Sequence, residues 1–322
     1  MTQRPERPAG WELHARALEV AQPLDFVAQL GGDPALELHM VFARDGAYVP
    51  AVVRTPPGAG PFPAVMCLHG GSGGLGHALL ADWMRNRSVL FDRLSAEGYL
   101  VCFTEGRMEL EDVYATDFPG VLDHQDVVEV LRYLQRLPEV DANRIGTFGV
   151  SHGGELQMKL ISEMGTGPAA LVPTEPAVID FLGLHHEGGS KDDPGWTSED
   201  SSGFRIEERM QFRDDVADDQ IDFDRAWERV QRISDSTAIL VMGRDDDHLQ
   251  GVFRKLYELL DRAGKRVEWA SWDHPEHAYQ FGPARSNGAY EPDPILDATV
   301  DRIVEFLDAN VRDRQEAGVG RA

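Results

Sequence analysis

Between Arg144 and Gly154 the chain reads Arg-Ile-Gly-Thr-Phe-Gly-Val-Ser-His-Gly-Gly, a serine held between glycines where a strand pattern gives way to a helical one. Upstream, the apolar run follows a turn signal at Asp141, Ala142 and Asn143 and reads as a buried strand. Downstream, Leu156, Met158, Leu160 and Ile161 stand among good helix formers, the pattern of a helix packed on a sheet. So sharp a turn strains the serine backbone, and side chains at Gly149 or Gly153 would collide with the neighbouring strand and helix. Ser151 is therefore a candidate nucleophile beside the N–H groups of a helix N-terminus. The bland alternative, a glycine-rich turn with a solvent-facing serine, has to be weighed against the rest of the chain.

That rest alternates. The segment 36–57 reads as a hairpin turning near Asp45 and Gly46. A strand over Ala64 to Leu68, a helix near Ser88 to Glu97, a strand over Tyr99 to Thr104 and a helix near Leu122 to Leu137 lead to the serine turn. Beyond it come a strand in Ala-Ala-Leu-Val-Pro-Thr, apolar runs at Ala238 to Met242 and Val267 to Trp272, and an amphipathic helix over 297–311. This order predicts an α/β fold with a mostly parallel central sheet covered by helices on both faces.

Two further clusters accompany the serine. The strand ending at Leu68 runs into His69-Gly70-Gly71-Ser72-Gly73-Gly74, a loop suited to present backbone N–H groups to an oxyanion, with Gly71 the first choice and Ser72 the second. The other donor is expected from the N–H of His152, next after the nucleophile. The loop lacks the Gly-Lys-Ser/Thr ending of a phosphate loop and the spacing of a dinucleotide fingerprint. A serine nucleophile also needs a base and an orienting carboxylate. Asp245, Asp246 and Asp247 follow the strand at 238–242, and His274 and His277 follow that at 267–272. Both clusters fall at carboxyl ends of strands, where parallel α/β sheets gather functional groups. Only one of the three aspartates can face a base, and spacing does not choose between the two histidines.

Together the His-Gly-Gly loop, the Gly-x-Ser-x-Gly-Gly turn, the Gly-x-x-Asp-Asp strand end and the late His-x-x-His-Ala-Tyr resemble an α/β-hydrolase of the dienelactone hydrolase and prolyl oligopeptidase branch, over about residues 36 to 312. The resemblance implies a catalytic triad of Ser151, Asp246 and His277. The acid is carried over as the third residue after Gly243, and the base from a Gly-His-Gly-Phe-like element matched by Glu276-His277-Ala278-Tyr279. Two departures stand out: dienelactone hydrolases proper use a cysteine where this chain has Ser151, and Glu276 replaces the usual glycine. The propeller of the oligopeptidases has no room ahead of the first expected strand. The implied activity is cleavage of carboxylic esters through an acyl-enzyme, without cofactor or metal, on a small-molecule ester or acyl substrate. Competing readings are an aminopeptidase or acylaminoacyl peptidase, an acyltransferase, and a non-catalytic binding protein on the same fold.

Composition sets outer limits. In 322 residues the formal net charge is −24, which disfavours nucleic acid and anionic membranes as partners. No apolar run reaches the roughly 18 residues of a membrane span, and the opening Met-Thr-Gln-Arg-Pro-Glu-Arg-Pro lacks a secretory core, so a cytoplasmic enzyme is expected. Cys67 and Cys102 fall inside apolar runs and read as buried thiols. The chain divides into an N-terminal segment 1–35, a hydrolase domain 36–312 and a tail 313–322. Inside the domain, 183–232 lacks a strand pattern and is expected to form a cap, with Trp196 and Phe204 candidate pocket residues. His185, His186 and Glu187 have no second ligand cluster and read as loop residues. The sequence sets no oligomeric state.

Overall fold

The computed structural model describes residues 26–30, 35–43, 46, 48–71, 76–106, 121–165, 167–184, 212–281 and 289–314. Among the described residues nine strands form: β1 (Phe26–Gln29), β2 (Leu36–Phe42), β3 (Tyr48–Arg54), β4 (Phe62–Leu68), β5 (Leu100–Thr104), β6 (Val140–Val150), β7 (Ala170–Thr174), β8 (Ala238–Arg244) and β9 (Arg266–Trp272). They form one sheet in the order β1-β2-β3-β5-β4-β6-β7-β8-β9. β1 to β3 pair antiparallel, and β3 joins β5 antiparallel. From β5 to β9 every pair is parallel. The carboxyl ends of β4, β6, β7, β8 and β9 therefore share one edge, and the functional candidates follow directly from those ends.

Helices α1 (Gly76–Asn86), α2 (Val89–Ala96) and α8 (Pro294–Leu307) cover one face. α3 (Val121–Leu134), α4 (His152–Met164), α5 (Ile179–Leu182), α6 (Phe223–Arg232) and α7 (Gln250–Arg262) cover the other. The central strands β4, β5, β7 and β8 are apolar at nearly every position because each face is buried. Thus Val65 and Cys67 pack with Phe91 and Phe103 on one side, while Ala64, Met66 and Leu68 pack with Val127 and Leu131 on the other. This alternation also disposes of a disulfide. Cys102 pairs in register with Met66, so its thiol lies across the sheet from that of Cys67. Both are free, and burial pushes the Cys102 thiol up to about 12.

Two boundaries move. The sheet begins at β1, ahead of the expected border at residue 36, through an antiparallel register running from Phe26↔Met40 to Gln29↔Glu37. Four residues on an edge strand are too few to show a period. The segment 183–232 is not a cap throughout. Asp222 caps α6 by accepting the N–H of Arg225, and α6 buries Ala226 and Val230 against Met158, Ile161 and Leu171 as a crossover helix between β7 and β8. Phe223 and Trp227 stack on each other beneath Arg262. Residues 185–211 of the expected cap, with His185, His186, Glu187, Trp196 and Phe204, lie outside the described residues.

Candidate active site

At the end of β6 the chain turns into α4 through Ser151, whose φ of 54° and ψ of −118° lie where L-residues pay steric strain. Neighbouring contacts hold it there. The Ser151 N–H donates to the Thr174 carbonyl at 2.9 Å, and its own carbonyl accepts the N–H of Ala177 at 3.0 Å. A Cβ on Gly153 would stand 2.5 Å from the His69 carbonyl oxygen and 2.6 Å from that of Leu68, and one on Gly149 would stand 2.5 Å from the Gly153 oxygen. Only glycine permits this approach of turn, helix and β4.

The loop after β4 comes down on the serine. A Cβ on Gly70 would meet the Ser151 Cβ at 2.6 Å, so the backbone of Gly70 lies directly against Ser151. Gly71 follows with φ at 92°, a left-handed turn that glycine takes without strain. Ser72 lies outside the described residues. His152 opens α4, and the first N–H groups of a helix point out of its N-terminus, here toward the elbow. Its imidazole is buried, which drives it down to about 3 and keeps it neutral.

Sequence reasoning passed over what anchors this loop. The His69 Nε2 meets the Glu105 Oε2 at 2.7 Å, and the Glu105 Oε1 accepts the N–H of Gly76 at 2.8 Å. Both side chains are essentially without exposure. Glu105 follows β5 by one residue, and the signal available was a lone acid after an apolar run, beside the His69 strand.

Of the three aspartates after β8, Asp247 and not the expected Asp246 meets a histidine. Asp246 adopts φ 58°, turns its side chain outward to 80% exposure and pairs with Arg213 at 2.8 Å. Asp247 is the aspartate against His277: its buried Oδ2 stands 2.9 Å from His277 Nδ1 and accepts from Arg244 Nε at 2.7 Å. Oδ1 accepts the N–H of Leu249 at 2.9 Å. β8 runs two residues further than the apolar pattern, to Arg244, and the left-handed step at Asp246 delivers the following carboxylate inward. Counting three residues from Gly243 thus stops one short.

His277 rather than His274 meets this carboxylate. His274 stacks on Tyr279 at 3.9 Å and its Nε2 contacts Asp293 at 3.2 Å, fastening the loop to the start of α8. Burial lowers the His277 pKa, but hydrogen bonds to Asp247 and Glu175 and their charges outweigh it and raise the imidazole to about 9. Burial likewise raises Asp247, and its hydrogen bond to His277 overrides that to hold it at about 2. Asp247, His248 and His277 bring potential ligand atoms within 4.8 Å of one another. Asp247 and His277 hydrogen-bond each other, and Asp247 also accepts from Arg244.

With Nδ1 facing carboxylate, the ring's Nε2 is turned to the opposite side, the arrangement that lets imidazole act as a base. A strained serine at a strand-to-helix turn, with an acid–imidazole pair off the same sheet edge, places the molecule among the nucleophile-elbow hydrolases. The chain belongs to the α/β-hydrolase fold family, whose model matches residues 116–281. A mouse protein, acyl-coenzyme A thioesterase 5, is 33% identical over 132 residues, 40% of this chain and 27% of its own. The chain thus spans about a quarter of that relative. Carboxyl esterase 2 of the fungus Tuber melanosporum shares the fold at a TM-score of 0.60 and 16% identity, over 95% of this chain and 100% of that one. An acylaminoacyl peptidase of Pyrococcus horikoshii does so at 0.58 and 13%, over 94% of this chain and 45% of that one. No helix among the described residues is long and apolar enough to cross a membrane.

Proposed function

We propose that this hydrolase cleaves carboxylic esters through a covalent acyl-enzyme on Ser151, with His277 as base and Asp247, in place of Asp246, as the acid that orients it. The observation that carries this reading is the strained Ser151 backbone at the same sheet edge as the hydrogen-bonded Asp247–His277 pair. Neutral His277 takes the serine proton at Nε2 as Oγ attacks the ester carbonyl. Asp247 stabilises the imidazolium through Nδ1–H. The N–H groups of His152 and Gly71 receive the negative charge on the carbonyl oxygen, each donor worth about 3–4 kcal/mol by loss. The imidazolium then protonates the departing alcohol, and water, deprotonated by the same ring, releases the acid and restores Ser151. No step calls for a cofactor.

The named activity of the mouse relative favours a second reading, hydrolysis of a thioester by the same chemistry. The net charge of −24 opposes it for a coenzyme A ester, whose phosphates enter a field of like sign. Peptidase activity requires protonation of a much poorer leaving group and stands third. The test is turnover of p-nitrophenyl esters, acyl-coenzyme A and aminoacyl anilides by wild type and Ser151→Ala. Wild type is expected to prefer the oxygen esters, and Ser151→Ala to lose turnover and labelling by a fluorophosphonate. Undiminished ester hydrolysis in that variant refutes the assignment.

A further inference from the structure

Directly after β7 stands a carboxylate that the ester mechanism leaves unused. Glu175 has a left-handed φ of 44° and a side chain with no exposure, two costs that a glycine or an apolar residue would avoid. The backbone is locked in place: its N–H donates to the Met242 carbonyl at 2.7 Å, one residue after Thr174 receives the N–H of Ser151. Oε1 accepts the Arg244 N–H at 3.1 Å, and Oε2 accepts the Ala278 N–H at 2.6 Å. Oε2 also lies 3.1 Å from His277 Nδ1. That nitrogen carries one proton and faces two carboxylates, Asp247 at 2.9 Å being the other.

We propose that Glu175 is a second acid of the site, a positioning residue that shares with Asp247 the positive charge His277 acquires, so that either carboxylate alone sustains the base. The proposal rests on the reading of His277 as the base for Ser151. Two acids on one imidazole have a geometric origin: β7 and β8 are adjacent parallel strands, and each hands over one carboxylate at the edge above which the histidine loop crosses. The two differ in their counter-charges. Asp247 shares its oxygens with the Arg244 guanidinium and, at 3.4 Å, with His248 Nδ1, whereas Glu175 accepts, besides His277, from the backbone N–H groups of Arg244 and Ala278 and from the Gln280 amide, all neutral donors. The remaining titratable ring against His277 is His248, with centroids 4.6 Å apart, and its proton would oppose the two acids. The undivided charge of Glu175 therefore falls on the imidazole.

A purely structural Glu175, pinning the histidine loop through Ala278, predicts lost stability without a change in how His277 titrates. Three variants distinguish the cases: Glu175→Gln, Asp247→Asn and the double variant, each assayed as kcat/KM against pH with a p-nitrophenyl ester. The His277 titration is followed in parallel by NMR of 15N-histidine-labelled protein, including in Ser151→Ala, which needs no activity. Glu175→Gln is expected to lower the pH at which His277 titrates by about one unit. Asp247→Asn is expected to lose about 100-fold in kcat/KM and to keep a base titrating above an ordinary imidazole, while the double variant loses about 10⁴-fold. An unmoved His277 titration in Glu175→Gln, or an Asp247→Asn variant no more active than the double, overturns the proposal. Should Glu175→Gln not fold, the imidazole titration of Asp247→Asn alone decides it: a value at or below that of ordinary imidazole is the overturning result. Activity surviving in Ser151→Ala would instead strike at the ester mechanism, and the NMR arm would still read the Glu175–His277 coupling.

Discussion

Asp246 and Asp247 are adjacent, chemically identical and opposite in use, and the difference lies in one backbone angle. At φ 58° Asp246 points to solvent and Arg213, while Asp247 turns inward with no exposure. Asp246→Ala is accordingly expected to keep kcat/KM within about two-fold, since an exposed ion pair is worth about 0–1 kcal/mol, and steady-state kinetics beside Asp247→Asn check it. The acid–imidazole pair also fixes the pH dependence. In the proposed mechanism His277 must be neutral to accept the serine proton, and its two carboxylates raise it to about 9. kcat/KM for a neutral ester should therefore climb with pH and level off above about 9. Stability runs the other way: a histidine raised above its unfolded value of about 6.5 stabilises the fold fully below that pH and loses the contribution as pH rises through about 9. Asp247, depressed to about 2, contributes above about 3.8 and fails as pH falls through about 2. Denaturant titrations from pH 6 to 10 should show stability falling while activity rises; a profile flat across that range would contradict the assignment.

Among elements, the loop between β4 and α1 is the one whose support was hidden. Its glycines are legible as a run, and so was the serine turn, because a tight backbone approach excludes every other residue and leaves a mark in sequence. The same holds for β4, β5, β7 and β8, where burial on two faces enforces nearly unbroken apolar runs. Glu105 and Glu175 left no such mark: each is a single acid just past a strand end, and what makes it functional is a partner from another strand, His69 or His277, that only the sheet order brings near. β1 leaves little periodic signal because it is four edge residues, whereas α6 is legible and goes unread: Phe223, Ala226, Trp227 and Val230 recur at i, i+3, i+4 and i+7. The loop's anchor can be tested as an element. Glu105→Ala leaves His69 Nε2 and the Gly76 N–H without their buried acceptor, which costs about 1–3 kcal/mol per group. The variant should unfold at lower denaturant and lose at least about ten-fold in kcat, as Gly70 and Gly71 drift from the position the oxyanion takes. A loss of stability with kcat intact would make Glu105 a scaffold residue with no hold on the oxyanion donors.

On the scale of the whole molecule, the sheet concentrates Ser151, Glu175, Asp247 and His277 at one edge while the excess of acids is spread over the chain. A net charge of −24 acts on any substrate before contact, and its reach is set by salt, with a Debye length of about 10 Å at 0.1 M and about 30 Å at 0.01 M. A neutral p-nitrophenyl ester feels none of this. An acyl-coenzyme A ester, carrying several phosphate charges, meets a repulsive potential at low salt that fades as salt is added. The two substrate classes are thereby separated by a property that does not depend on the architecture of residues 185–211. Raising ionic strength from about 10 to about 200 mM should leave kcat/KM for the neutral ester within about two-fold and raise that for the coenzyme A ester by roughly ten-fold. The opposite slope, activity on the coenzyme A ester falling with salt, would mean that a local basic site overrides the molecular charge, and would move the thioester reading ahead of the oxygen ester.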